Sequence, residues 1–193
     1  MRLILASSSP RRAELLQQIG VDFEIKSVEI DEMPIQGERP YDYVKRLAIE
    51  KAAATKAFYQ DNEVLVLGSD TAVIVNGRIL GKPDNKEQAM LMLRQLSGGS
   101  HIVLTSVAII GSQQEDWLVS ESKVTFSTLS DREIEWYWST GEPKDKAGAY
   151  GIQGKAAVFI KRLEGSFSGV MGLPLYETSQ LLKKVGLISL NTK

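Results

Sequence analysis

Residues 64–80 read VLVLGSDTAVIVNGRIL. The opening Val64-Leu65-Val66-Leu67 is a continuous aliphatic run, the pattern of a buried strand. Gly68-Ser69-Asp70 breaks that run, and Thr71 to Val75 resumes it. Asn76-Gly77 is a strong type I′ hairpin signal, because both positions accept positive φ, so Arg78-Ile79-Leu80 returns antiparallel. A buried strand that leads into a hairpin calls for a mixed sheet, not a purely parallel one.

Outward from this stretch, strands and helices are interspersed. Leu3-Ile4-Leu5-Ala6 reads as a short buried strand, and Ser7-Ser8-Ser9-Pro10 turns the chain. Ser9 is then the N-cap and Pro10 the first residue of a helix that runs to Ile19 and stops at Gly20. Residues 22–30 read as extended, and 41–59 as a second helix. Asp84 with Glu87 forms a capping box for a helix reaching Leu96. Two β segments follow, 101–110 and 117–126. Ser130 with Glu133 makes a second capping box, 141–154 is a Gly-rich loop, 156–161 a strand and 174–185 a final helix. The expected fold class is α/β, a mixed elongated central sheet flanked by helices. It forms one domain over residues 1–193, in one or two lobes.

Composition narrows the chemistry. The 193 residues are 43% hydrophobic and 24% charged, with a formal net charge of -1. A general nucleic-acid binder carries a basic excess, so neither DNA nor an anionic membrane is an expected partner. The absence of cysteine excludes disulfides, thiolate metal sites and Cys nucleophiles. The single histidine, His101, excludes a two-His metal centre and reads as a satisfied or surface residue. No signal-peptide pattern and no run of roughly 18 apolar residues is present, so a cytoplasmic protein is expected. No G-x-S-x-G elbow, Walker loop or G-x-G-x-x-G fingerprint occurs either.

What remains is a set of residues suited to a compact anion. The helix start at Ser8-Ser9-Pro10 offers unpaired N–H groups to an anion. Arg12 shares a helical face with Leu15, Leu16 and Ile19 and so turns toward the core side, whereas Arg11 turns to solvent. Lys51 falls on the apolar stripe of Val44, Leu47 and Ala48, where a lysine either snorkels or meets a ligand. Asp70, after a buried strand run and beside the small residues Ser69 and Thr71, stands where α/β proteins build sites. Gly81-Lys82-Pro83 supplies a further cation. Asp31-Glu32 supplies oxygen ligands suited to Mg²⁺, and Gln153 a neutral donor and acceptor.

Taken together, LILASSSPRRAELL, EIDEM, RLAIEKA, LVLGSDTAV, GRILGKP, DKAGAYGIQG and VMGLPLYET, in this order over nearly the whole chain, resemble the Maf family of nucleoside triphosphate pyrophosphatases. The resemblance implies hydrolysis of a nucleoside triphosphate to the monophosphate and pyrophosphate with a divalent cation, Mg²⁺ or Mn²⁺. It also implies a fold like that of inosine-triphosphate pyrophosphatases, a nucleotide cleft between lobes, and often a homodimer. By the same resemblance Asp70 is the proton acceptor for water attack on the α-phosphate. Arg12, Thr71 and Gln153 match substrate-specificity positions and are similar to the dTTP/UTP branch. Ser8, Ser9, Arg12, Lys51 and Lys82 are expected at the phosphates, and Glu32 with Asp70 at the metal. The competing reading is a non-catalytic nucleotide-binding regulator of septum formation, which would keep the cations without needing the base.

Overall fold

The computed structural model describes residues 1–188; the remainder of the expected domain, 189–193, lies outside the described residues. The chain runs β1 (Arg2–Leu5), α1 (Pro10–Gln18), β2 (Glu24–Ile25), α2 (Pro40–Lys56), β3 (Val64–Val75), β4 (Arg78–Leu80) and α3 (Lys86–Leu96). It continues through β5 (Ser100–Ile110), β6 (Glu115–Phe126), α4 (Asp131–Ser139), β7 (Ile160–Glu164), α5 (Phe167–Met171) and α6 (Leu175–Lys184). One seven-stranded sheet has the order β2-β1-β3-β5-β6-β7, with β4 also on β3. β1 pairs in parallel with β2 and β3, and every other pairing is antiparallel. The mixed α/β sheet flanked by helices is therefore as the sequence indicates.

Strand β3 organises the molecule. It is unbroken over twelve residues, so Gly68-Ser69-Asp70 does not interrupt it as the sequence suggests. The glycine serves packing instead: a Cβ on Gly68 would lie 2.2 Å from the Ala48 carbonyl oxygen and 2.9 Å from the Ala52 nitrogen. Its bare backbone lets α2 settle onto the sheet. Because side chains alternate along a strand, the two faces of β3 can be read separately. Toward α2 lie Val64 and Val66, then Asp70, then Ala72 and Ile74. On the other face lie Leu65 and Leu67, then Ser69 and Thr71, then Val73 and Val75.

On that second face the core is in two parts. Leu67, Val107 and Ile109 pack with α1, α6 and Leu173; Val73 and Val103 pack with α3, α4 and the segment 149–159. Between them Ser69, Thr71 and Thr105 form a polar belt. The edge of β3 also opens there. β1 pairs only as far as Leu5–Leu67, and β4 begins at Leu80–Val73, while β5 occupies the opposite edge throughout. Residues 68–72 thus have a strand on one side only.

Five local expectations are corrected. The helix before Leu96 is capped by Asn85, whose side chain accepts from the Gln88 N–H, and not by an Asp84–Glu87 box. Residues 155–159 form a 3-10 turn, with the strand starting at Ile160. Only Glu24–Ile25 of the extended stretch 22–30 joins the sheet, and α2 ends at Lys56 rather than Tyr59. Ser9 does stand at the N-cap of α1, yet its side chain makes no capping bond; its N–H donates to Ser7 Oγ. The Ser130–Glu133 capping box forms as expected.

Candidate active site

The open stretch of β3 gathers most of the candidate residues. Asp70 is 6% exposed, on the face covered by α2. Lys51, one turn beyond Leu47 and Ala48 on α2, extends along its own stem and donates from Nζ to Asp70 Oδ1 at 2.6 Å. The same Nζ lies 2.7 Å from Glu32 Oε1, and Lys82 Nζ is 3.6 Å from Glu32 Oε2. The loop before α2 is thereby drawn over the site. Tyr43 O–H donates to the Glu32 carbonyl at 3.0 Å and Arg46 Nη2 to the Met33 carbonyl at 3.1 Å, fixing the loop backbone.

Arg12 enters from the other face. Its Nε donates to the Gly172 carbonyl at 2.8 Å, Nη1 to Ser7 Oγ at 3.3 Å and Nη2 to Thr71 Oγ1 at 3.4 Å. Gly172 has φ +119, and a Cβ there would stand 3.4 Å from Arg12 Nε, so only glycine places that carbonyl without strain. Ser69 Oγ lies 2.9 Å from the same carbonyl and 2.8 Å from that of Ser106. The inward turn inferred for Arg12 from helical spacing is what the structure has.

Electrostatics follow from this packing. Burial raises the Asp70 carboxyl above the ordinary aspartate range, against the opposing charges of Lys51 and Arg12. Burial acts on Glu32 in the same direction, but the hydrogen bond and charge of Lys51, with help from Lys82, hold it below the ordinary glutamate range. Desolvation lowers the Arg12 guanidinium, with Asp70 partly offsetting it. Tyr43 is pushed up to about 12 by burial and then by the charges of Asp70 and Glu32, so it stays a donor.

The remaining candidates lie apart from this contact network. Ser8 is exposed and Ser9 half-buried at the start of α1. Gln153 is exposed on the loop after Tyr150, and among the described residues no hydrogen bond joins it to Arg12, Thr71 or Asp70. Its loop is tied to the turn carrying Lys82 by the Gly148 N–H, which donates to the Gly81 carbonyl at 3.0 Å. Sequence reasoning overlooked Ser7, Tyr43, Ser69, Thr105 and Gly172. Ser69 and Thr105 had a usable signal: each is a hydroxyl residue inside an otherwise aliphatic strand, on the same face as Thr71.

A divalent cation fits the donor set. Glu32 and Asp70 present hard carboxylate oxygens to one point, now bridged by Lys51. Among the described residues no group of three or more His, Asp or Glu could hold a metal alone. Mg²⁺ typically needs only one or two carboxylates, completing its shell with water and substrate phosphate. Among the described residues no helix is long and apolar enough to cross a membrane.

Comparison with known proteins places the chain. It is 50% identical to the dTTP/UTP pyrophosphatase of Colwellia psychrerythraea, over 100% of this chain and 92% of that protein. It is likewise 50% identical to the dTTP/UTP pyrophosphatase of Hahella chejuensis, over 96% and 93%. The similarly named protein of Symbiobacterium thermophilum is 48% identical over 96% and 94%. A solved structure described as that of the Staphylococcus aureus Ham1 protein superposes on 68% of this chain and 73% of its own, at 15% identity and a TM-score of 0.44. The family model described as Maf-like protein matches residues 2–185, and on this match and these identities the chain belongs to the Maf family.

Proposed function

We propose that the chain is a cytoplasmic nucleoside triphosphate pyrophosphatase acting chiefly on dTTP and UTP. It would release the monophosphate and pyrophosphate, in keeping with the names of its relatives. One observation carries the reading from the chain's own residues. The buried carboxylate of Asp70 sits in the gap of the β3 edge, hydrogen-bonded to Lys51 and within the field of Arg12.

Hydrolysis at a phosphorus needs a base for the water and positive charge around a polyanion. Asp70 accepts the proton of the attacking water, from a buried position at the open edge of β3. Lys51, Lys82 and Arg12 meet the phosphate oxygens, with the N–H groups at the Ser8-Ser9 turn beside them. Arg12, Thr71 and Gln153 discriminate between substrates. Glu32 and Asp70 would hold Mg²⁺ or Mn²⁺, which supplies Lewis-acid polarisation of the phosphate when bound. Binding of the triphosphate gives Lys51 and Lys82 an anionic partner other than Glu32, freeing that carboxylate for the cation.

The test is pyrophosphate release from dTTP, UTP, CTP, GTP and 7-methyl-GTP, with Mg²⁺ or Mn²⁺ and with chelator. Metal-dependent release confined mainly to dTTP and UTP is expected. Asp70→Asn should lower turnover by at least a hundredfold, the scale of lost general-base catalysis, while nucleotide binding persists. Binding without turnover in the wild-type protein would instead favour a regulator.

A further inference from the structure

We propose that Thr105 is a positioning residue that turns the Thr71 hydroxyl into a hydrogen-bond acceptor facing the nucleotide. The inference rests on the pyrophosphatase reading and assigns a chemistry to one of its specificity positions.

Thr71 and Thr105 are directly opposed across β3 and β5, and Ser120 on β6 opposes Thr105 in turn. This makes a row of hydroxyls across three neighbouring strands, on the face where the two apolar packings part. Thr105 is 1% exposed. Its Oγ1 lies 2.7 Å from the Gly169 carbonyl and 3.0 Å from Thr71 Oγ1. Gly169 lies on α5, tightly against Ser166 at the start of that helix: a Cβ there would lie 3.1 Å from Ser166 Cβ.

Proton counting then fixes the direction. A hydroxyl has one proton, and a carbonyl has none to give. The 2.7 Å contact with Gly169 is made only if Thr105 donates it. The 3.0 Å contact with Thr71 is then made only if Thr71 donates to Thr105. This arrangement satisfies both contacts of a fully buried hydroxyl, and the reverse leaves one unmade. The proton of Thr71 is thus committed inward. Its other neighbour, Arg12 Nη2 at 3.4 Å, can only donate. Thr71 therefore offers lone pairs alone to a ligand. Beside it, Arg12 offers N–H groups held by long bonds of 3.3 and 3.4 Å, with Nε anchored on Gly172.

A lone pair at Thr71 selects a ligand that brings a proton. In a uridine nucleotide that proton comes from the imide N–H of the base or from a sugar hydroxyl. Cytosine has an acceptor where uracil has its imide N–H, and sugar analogues remove the hydroxyls. The two sources can therefore be told apart.

The experiment compares wild type, Thr105→Val and Thr105→Ser. Thr105→Val keeps the shape and removes the oxygen; Thr105→Ser restores it. kcat and KM are measured separately for UTP, CTP, dUTP and 2′,3′-dideoxy-UTP, alongside melting temperatures. In Thr105→Val, kcat/KM for UTP should fall about tenfold, the scale of one hydrogen bond. The substrate lacking the donor should change little, and Thr105→Ser should recover the wild-type ratio. A UTP-to-CTP ratio that collapses identifies the imide. A UTP-to-dideoxy-UTP ratio that collapses with UTP-to-CTP intact identifies the sugar. Unchanged ratios in a folded Thr105→Val, or an equal loss on every substrate, would overturn the proposal. If the wild type binds UTP without turnover, the pyrophosphatase reading fails, and the same ratios are read from Kd. If it neither binds nor hydrolyses these nucleotides, both fail.

Discussion

His101 lies against Tyr150 and Phe126, with ring centroids 5.3 Å from each, and its Nε2 is 2.7 Å from Tyr150 O–H. Its Nδ1 is buried without a hydrogen-bond partner among the described residues, and burial lowers its pKa from 6.5 to about 4. Between those values the unfolded chain binds a proton that the folded protein refuses. The contribution to stability is therefore fully present above pH 6.5 and is lost as pH falls through the window, about 3 kcal/mol in all. His101→Phe should be less stable than wild type at pH 7.5 by about 1–3 kcal/mol, because Tyr150 O–H loses its partner. The gap should close or invert by pH 4. Urea unfolding of both proteins at the two pH values measures it, and a gap independent of pH would refute the assignment. The sequence alone placed His101 only as a satisfied or surface residue, since its partners lie in a distant loop. Arg12, Asp70 and Lys51 were readable because helical spacing or a strand context fixes where each points. Thr105 was visible as a hydroxyl in an aliphatic strand, but its pairing with Thr71 needed the β3–β5 register, which no local pattern contains.

At the level of elements, propensity and capping signals found the longer helices but not the five-residue α5, while tertiary contacts moved their ends. Asp84-x-x-Glu87 and Asn85-x-x-Gln88 are overlapping candidates for one helix start, and the structure uses the second. Asn85→Ala should then cost about 1 kcal/mol, whereas Asp84→Ala should stay within about 0.5 kcal/mol of wild type. Chemical denaturation of the two variants decides between the caps, and the opposite ranking would restore the Asp84 box. The reading of 156–161 as a strand failed for a different reason. Ala156 and Phe159 are buried at i, i+3 in a tight turn, while Ala157 and Val158 face solvent. Five apolar residues in a row do not say which period they will adopt. The break foreseen at Gly68-Ser69-Asp70 likewise took a packing glycine and two polar residues for an interruption of the strand. The strand persists there because β5 pairs with it residue by residue and α2 closes over Gly68.

Across the whole molecule, the polar belt separates two apolar packings that share one continuous strand pair, so ligand binding between them reports on global stability. The site sets three cations, Arg12, Lys51 and Lys82, against the two carboxylates Asp70 and Glu32. That leaves a single net positive charge to face a triphosphate, which carries more negative charge than this. Lys51 is already engaged by both carboxylates, and Lys82, largely exposed and 3.6 Å from Glu32, contributes only weakly. If the site takes a triphosphate as proposed, its charge balance favours a divalent cation beside the phosphates, apart from any part in the catalytic step. A non-hydrolysable UTP analogue at 100 times its Kd, with Mg²⁺, should stabilise the folded state by about 2.7 kcal/mol. For a chain of this length that is a rise in Tm of about 5–10 °C. Chelator at the same analogue concentration should abolish most of the rise, because the phosphates then confront Glu32 and Asp70 unscreened. Thermal melts with and without analogue, metal and chelator measure this. An equal rise in chelator would mean that the three cations suffice and that Glu32 and Asp70 hold no metal. No rise under either condition would remove the triphosphate from the gap in β3.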